Sequence, residues 1–122
     1  MKKRILVTED MISTRVLLQE LFADHGFEVV GAAKNGNEAA ILYKKFKPDV
    51  VTMDMVMPKS DGLQGLKEIL AYDPQAKVVM ISAINQDLAV QRALEIGAKG
   101  YVVKPYKEKD IIEILNRVLD ED

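Results

Sequence analysis

Five short apolar runs recur along the chain: 4–8 (RILVT), 27–33 (FEVVGAA), 49–54 (DVVTMD), 77–83 (KVVMISA) and 100–105 (GYVVKP). Each is rich in β-branched residues and nearly continuous rather than alternating. That pattern suits a strand covered on both faces, and therefore a parallel sheet. Between the runs the period lengthens to that of a helix. Residues 13–25 open on Ser13-Thr14 as a cap, place Val16, Leu17, Glu20, Leu21 and Asp24 at helical intervals with apolar and polar faces separated, and stop at Gly26. Residues 36–47 carry Ala39, Ala40, Tyr43 and Phe46, with Lys44, Lys45 and Lys47 near the end, where cations suit the helix dipole. A third helix spans 62–72 and stops at Asp73-Pro74. A fourth spans 85–96, capped by Asn85 and closed by Gly97. The last, 108–120, has a wide apolar stripe of Ile111, Ile112, Leu115, Val118 and Leu119.

Strand and helix thus alternate five times without a shared sequence repeat. The expected fold is α/β, a doubly wound (βα)5 domain over residues 1–122, with its five-stranded parallel sheet in the flavodoxin-like order 2-1-3-4-5. A site is then expected beyond the carboxyl ends of the strands, near the switch point between strands 1 and 3. Composition removes several function classes. A net charge of −2 argues against a nucleic-acid binder working through bulk positive charge, and the absence of cysteine excludes disulfides and thiolate metal sites. The apolar part of the N-terminal segment is too short for a signal peptide, and no run approaches the roughly 20 apolar residues of a membrane span. A cytoplasmic protein is expected.

Polar residues end four of the five strands: Glu9 and Asp10 after the first, Asp54 at the third, Ser82 at the fourth and Lys104-Pro105 at the fifth. In the expected order these four strands are contiguous, so their ends converge. Three close carboxylates repel by roughly 4 kcal/mol per pair at an effective dielectric near 20. Oxygen ligands without Cys or His suit a hard divalent cation such as Mg2+. Such a cation attracts a phosphoryl group, for which Ser82 offers a hydroxyl and Lys104 an ammonium. An aspartate carboxylate can itself accept phosphorus as an acyl phosphate. Singly, each residue has a structural explanation as a loop acid, turn acid or solvated lysine; jointly those explanations lose weight.

With the acid pair Glu9-Asp10, the stretch DMVMPKSDG from Asp54 to Gly62, Ser82-Ala83 and GAKGYVVKP from Gly97 to Pro105, the chain resembles the receiver domain of two-component response regulators over essentially its whole length. It looks most like the stand-alone chemotaxis (CheY) type. The resemblance implies phosphorylation of Asp54 by a sensor histidine kinase. It implies Mg2+, or another divalent cation such as Mn2+, held by Asp10, Asp54 and the Val56 backbone carbonyl, with Glu9 acting through water. Lys104 and Ser82 then bind the phosphoryl group, Tyr101 swings inward, and the Lys104–Pro105 peptide is cis. The face formed by the fourth helix, fifth strand and fifth helix controls a downstream protein, the flagellar motor switch or another effector. Neither nucleic acid nor membrane is contacted directly. The implied state is a monomer, with phosphorylation-linked dimerisation left open. Val56 and Ile84 are apolar where the family tunes dephosphorylation, so a long-lived phosphoryl group is expected.

Alternatives remain at this stage. A phosphorelay intermediate, or a receiver domain of a longer transcriptional regulator, fits the same motifs. An aspartate-dependent phosphatase-type hydrolase is disfavoured, because Val56 stands where such enzymes place a second acid. A dinucleotide enzyme lacks its glycine fingerprint after the first strand. His25, the sole histidine, fits a helix C-terminus better than phosphotransfer. Ile114 and Tyr106 are read as core edge or partner anchors, and the terminal acids as frayed.

Overall fold

The computed structural model describes residues 2–55, 62–83 and 87–121. Strands β1 (Arg4–Thr8), β2 (Glu28–Ala33), β3 (Val50–Asp54), β4 (Val78–Ser82) and β5 (Gly100–Val103) alternate with helices α1 (Ile12–Asp24), α2 (Gly36–Phe46), α3 (Gly62–Tyr72), α4 (Asp87–Ile96) and α5 (Glu108–Asp120). The strands form one parallel sheet in the order β2-β1-β3-β4-β5.

Alternation along each strand explains the continuous apolar runs. Leu6, Val51, Met53, Val78 and Met80 point to one side, where they meet Ala39, Ala40 and Tyr43 of α2, Leu66 and Ile69 of α3 and Ala93 of α4. Ile5, Val7, Val50, Val79 and Ile81 point to the other, against Leu18, Leu21 and Phe22 of α1 and Ile111, Leu115 and Val118 of α5. Both faces are therefore covered, and full burial of each large apolar side chain contributes about 1.5–3 kcal/mol.

Helix ends follow local chemistry. Asn35 caps α2 by accepting from the Glu38 amide at 2.8 Å, and Lys47 closes that helix in the left-handed region. Gly26 and Gly97 take positive φ after α1 and α4, as stop signals require. The His25 ring bonds the Leu21 carbonyl at the end of α1, a capping role. The expected Asn85 cap lies outside the described residues.

Three expectations fail. Helix α1 begins at Ile12 after Met11, which makes no side-chain cap, so Ser13 and Thr14 lie inside the first turn. Its buried residues are Leu18, Leu21 and Phe22, while Ile12, Val16 and Leu17 are exposed, so its faces are not cleanly separated. Apolar residues surround this helix, and packing chose one of two overlapping stripes. Asp120 and Glu121 are also better held than a frayed end: α5 runs through Asp120, and the Lys77 ammonium donates to the carbonyls of Leu119 and Glu121, while Asp122 lies outside the described residues. A helix end leaves four carbonyls without intrahelical partners, and this lysine, just before β4, meets two of the last ones. Ile114 and Tyr106 are partly buried against the α1/α5 core, which makes them core edge.

Candidate functional site

All five strands point the same way, so their carboxyl ends share one edge of the sheet. β1 delivers Glu9 and Asp10 there, β3 delivers Asp54, β4 Ser82, and β5 Lys104 in the turn that follows it. Carboxylate oxygens of Glu9, Asp10 and Asp54 lie within 4.8 Å of one another. The Lys104 ammonium bridges two of them, at 3.1 Å from Glu9 and 3.7 Å from Asp54. Glu9 is 2% exposed and also accepts from the Met11 amide at 3.2 Å. The Lys104 amide donates to the Ser82 carbonyl at 2.9 Å, tying the fifth strand end to the fourth, and the Lys104–Pro105 peptide is cis. Val56 and Ile84 lie outside the described residues.

Electrostatics follow from this crowding. The Asp10 carboxyl is raised from its ordinary value first by its hydrogen bond with Glu9, then by burial and by the Glu9 charge. Burial works against the charge on Lys104, but its hydrogen bond to Glu9 and the Asp54 charge outweigh it and hold its pKa up. It stays an ammonium. Burial raises the Tyr101 phenol, Asp54 adds to the rise, and a hydrogen bond with Ser82 opposes it. Ser82 is itself buried, so this pair links the acid cluster to β5.

The Asp10 shift has a definite pH signature. A carboxyl whose folded pKa lies above its ordinary 3.8 retains a proton that the unfolded chain has lost. Its contribution to stability is complete below 3.8 and is lost as pH rises through the folded value. Asp10→Asn removes that loss. Thermal melts in EDTA should show the variant melting above the parent at neutral pH, with the gap closing as pH falls. An unchanged gap across the titration would contradict the assignment.

The donor set fits a hard divalent cation: clustered carboxylate oxygens, no Cys in the chain, and the sole histidine elsewhere. Each proton on Asp10 competes with that cation. A groove of about 490 Å³ between α2 and α3, lined by Ile41, Lys44, Glu68 and Tyr72, contains none of the cluster residues.

Sequence reasoning missed one group here. Arg15, in the first turns of α1, donates from Nη1 to the Glu9 carbonyl at 3.0 Å. A lone arginine just after an acid pair was the available signal, but no spacing rule reveals a bond to a backbone oxygen.

Comparison with known proteins agrees with this geometry. The response regulator receiver domain family matches residues 5–116. The chain is 42% identical over 118 residues to the chemotaxis protein CheY of Thermotoga maritima, covering 97% of this chain and 98% of that protein. It is 41% identical over 120 residues to the chemotaxis protein CheY of Bacillus subtilis, covering 98% and 100% respectively. Among solved structures, a chain of the CheX–CheY–BeF3–Mg complex from Borrelia burgdorferi superposes with a TM-score of 0.93 at 34% identity, over 98% of this chain and 90% of that one. With its sheet order, its acid cluster and these relatives in agreement, the chain belongs to the response regulator receiver family and is CheY-like.

Proposed function

We propose that residues 1–122 form one receiver unit, in which Asp54 accepts a phosphoryl group from the phosphohistidine of a sensor histidine kinase. The observation that carries this reading is the position of the Asp54 carboxylate, within 4.8 Å of the Glu9 and Asp10 carboxylates and 3.7 Å from the Lys104 ammonium. An Asp54 oxygen attacks phosphorus, a P–O bond forms, the P–N bond breaks, and its electron pair leaves on the imidazole nitrogen. The chain acts as a phosphoacceptor switch rather than as a classical enzyme.

Asp10, Asp54 and the Val56 carbonyl would hold Mg2+ or Mn2+, with Glu9 acting through water. The cation supplies positive charge for the phosphoryl oxygens. Lys104, already beside Asp54, pairs with one of those oxygens. Ser82 donates its hydroxyl to another and gives up its hydrogen bond with Tyr101. Tyr101 then follows, and the α4/β5/α5 surface changes shape for a downstream protein.

The names of the relatives support a chemotaxis role; a location in the cytoplasm and the flagellar motor switch or another effector as target complete the proposed reading. Among the described residues, no helix is long and apolar enough to cross a membrane. Intact-mass spectrometry after incubation with acetyl phosphate and Mg2+ tests the reading. One phosphoryl gain, lost in EDTA, is expected. No gain from a folded, metal-binding protein would overturn it.

A further inference from the structure

Every polar group of Glu9 is engaged, and the partners come from four directions. Its amide donates to the Ala33 carbonyl at the end of β2, at 2.9 Å. Its carboxylate accepts from Lys104 and from the Met11 amide. Its carbonyl accepts from Arg15 Nη1 at 3.0 Å. Asp10 follows directly in the chain, so the position of its carboxylate depends on how this peptide is held. Helix α1 has no side-chain cap at its N-terminus, so Arg15 is a side-chain tie from the helix to the turn that no capping residue duplicates.

From this geometry we infer that Arg15 is a positioning residue for the divalent cation: it fixes the Glu9–Asp10 peptide through the Glu9 carbonyl. Its charge lies near the acids, yet its hydrogen bond goes to a neutral backbone oxygen rather than to a carboxylate. The inference rests on the receiver reading of the site, and the two fail differently.

Charge alone and position make opposite predictions. If Arg15 were only a nearby cation, Arg15→Met would remove a repulsion and tighten metal binding, most at low salt. As a positioning residue, its loss weakens binding by about tenfold, the lower end of the range found when groups that orient metal ligands are removed. Arg15→Lys keeps the charge and loses the long planar donor. It should also bind more weakly than the parent, whereas a charge role predicts no difference.

The experiment is calorimetric titration with Mg2+ of the parent and both variants, with Mn2+ binding followed by electron paramagnetic resonance. Thermal circular dichroism checks that each variant is folded. Weaker binding by folded Arg15→Met, with Arg15→Lys also weakened, supports the inference. Equal or tighter binding by Arg15→Met overturns it. Should Arg15→Met fail to fold, Arg15→Lys decides alone: weakened binding supports, parental binding overturns. Absence of binding by the parent would instead strike at the receiver reading.

Discussion

Gly62→Ala is expected to cost the protein at least about 3 kcal/mol, which a fall in the urea midpoint would record. A Cβ on this residue would sit 2.0 Å from the Asp54 carbonyl oxygen and 2.9 Å from the Met55 Cα. Both obstacles are backbone, so no rotamer change relieves them. Gly62 also donates its amide to the Met55 carbonyl at 2.8 Å, fixing the start of α3 against the end of β3. The clash must therefore push α3 away or shift Asp54 itself, and phosphoryl uptake should fall together with stability. Gly26→Ala is the control. It meets nothing within 4 Å and has only its φ of 88° to strain it, so a loss of about 1 kcal/mol is expected. Similar losses in the two variants would contradict the close approach at Gly62.

Lys104→Met should be the most damaging change among the site's side chains when metal is absent. Glu9 is 2% exposed against 29% for Lys104, so removing the ammonium strands a buried carboxylate beside two others. Breaking a buried pair from one side costs several kcal/mol, and the partial exposure of Lys104 brings the expected loss to about 2–4 kcal/mol in EDTA. Mg2+ should restore much of it, because a ligand that binds only the folded state adds stability in proportion to ln(1 + [L]/Kd). Denaturant melts with and without Mg2+ measure both effects. The double variant Glu9→Gln/Lys104→Met should lose less than the sum of the singles. Additive losses, or no response to Mg2+, would show that the pair is not coupled.

Much of this was legible in the sequence because its signals were local or repeated. The β-branched runs announced strands covered on both sides, and their order put Glu9, Asp10, Asp54, Ser82 and Lys104 on one edge. Helix α1 was harder to read. Ile12, Val16, Leu17, Leu18, Leu21 and Phe22 give it apolar residues all round, so periodicity alone could not choose the buried stripe. Long-range polar ties were also hidden. The contact from Lys77 to the α5 terminus spans more than 40 residues of chain, and the Arg15 bond ends on a carbonyl that any residue could supply. Gly62 stood at the end of a recognisable stretch, but its contact with the Asp54 carbonyl exists only once α3 is packed on β3.

The central claim is that Asp54 carries the phosphoryl group, and borohydride trapping tests it most directly. Protein incubated with acetyl phosphate and Mg2+ is reduced, digested and sequenced by tandem mass spectrometry. An acyl phosphate on Asp54 should be converted to homoserine at that position alone, and the signal should vanish with EDTA or in Asp54→Ala. Homoserine at Asp10 or another acid, or none anywhere in a folded, metal-binding protein, would contradict the account.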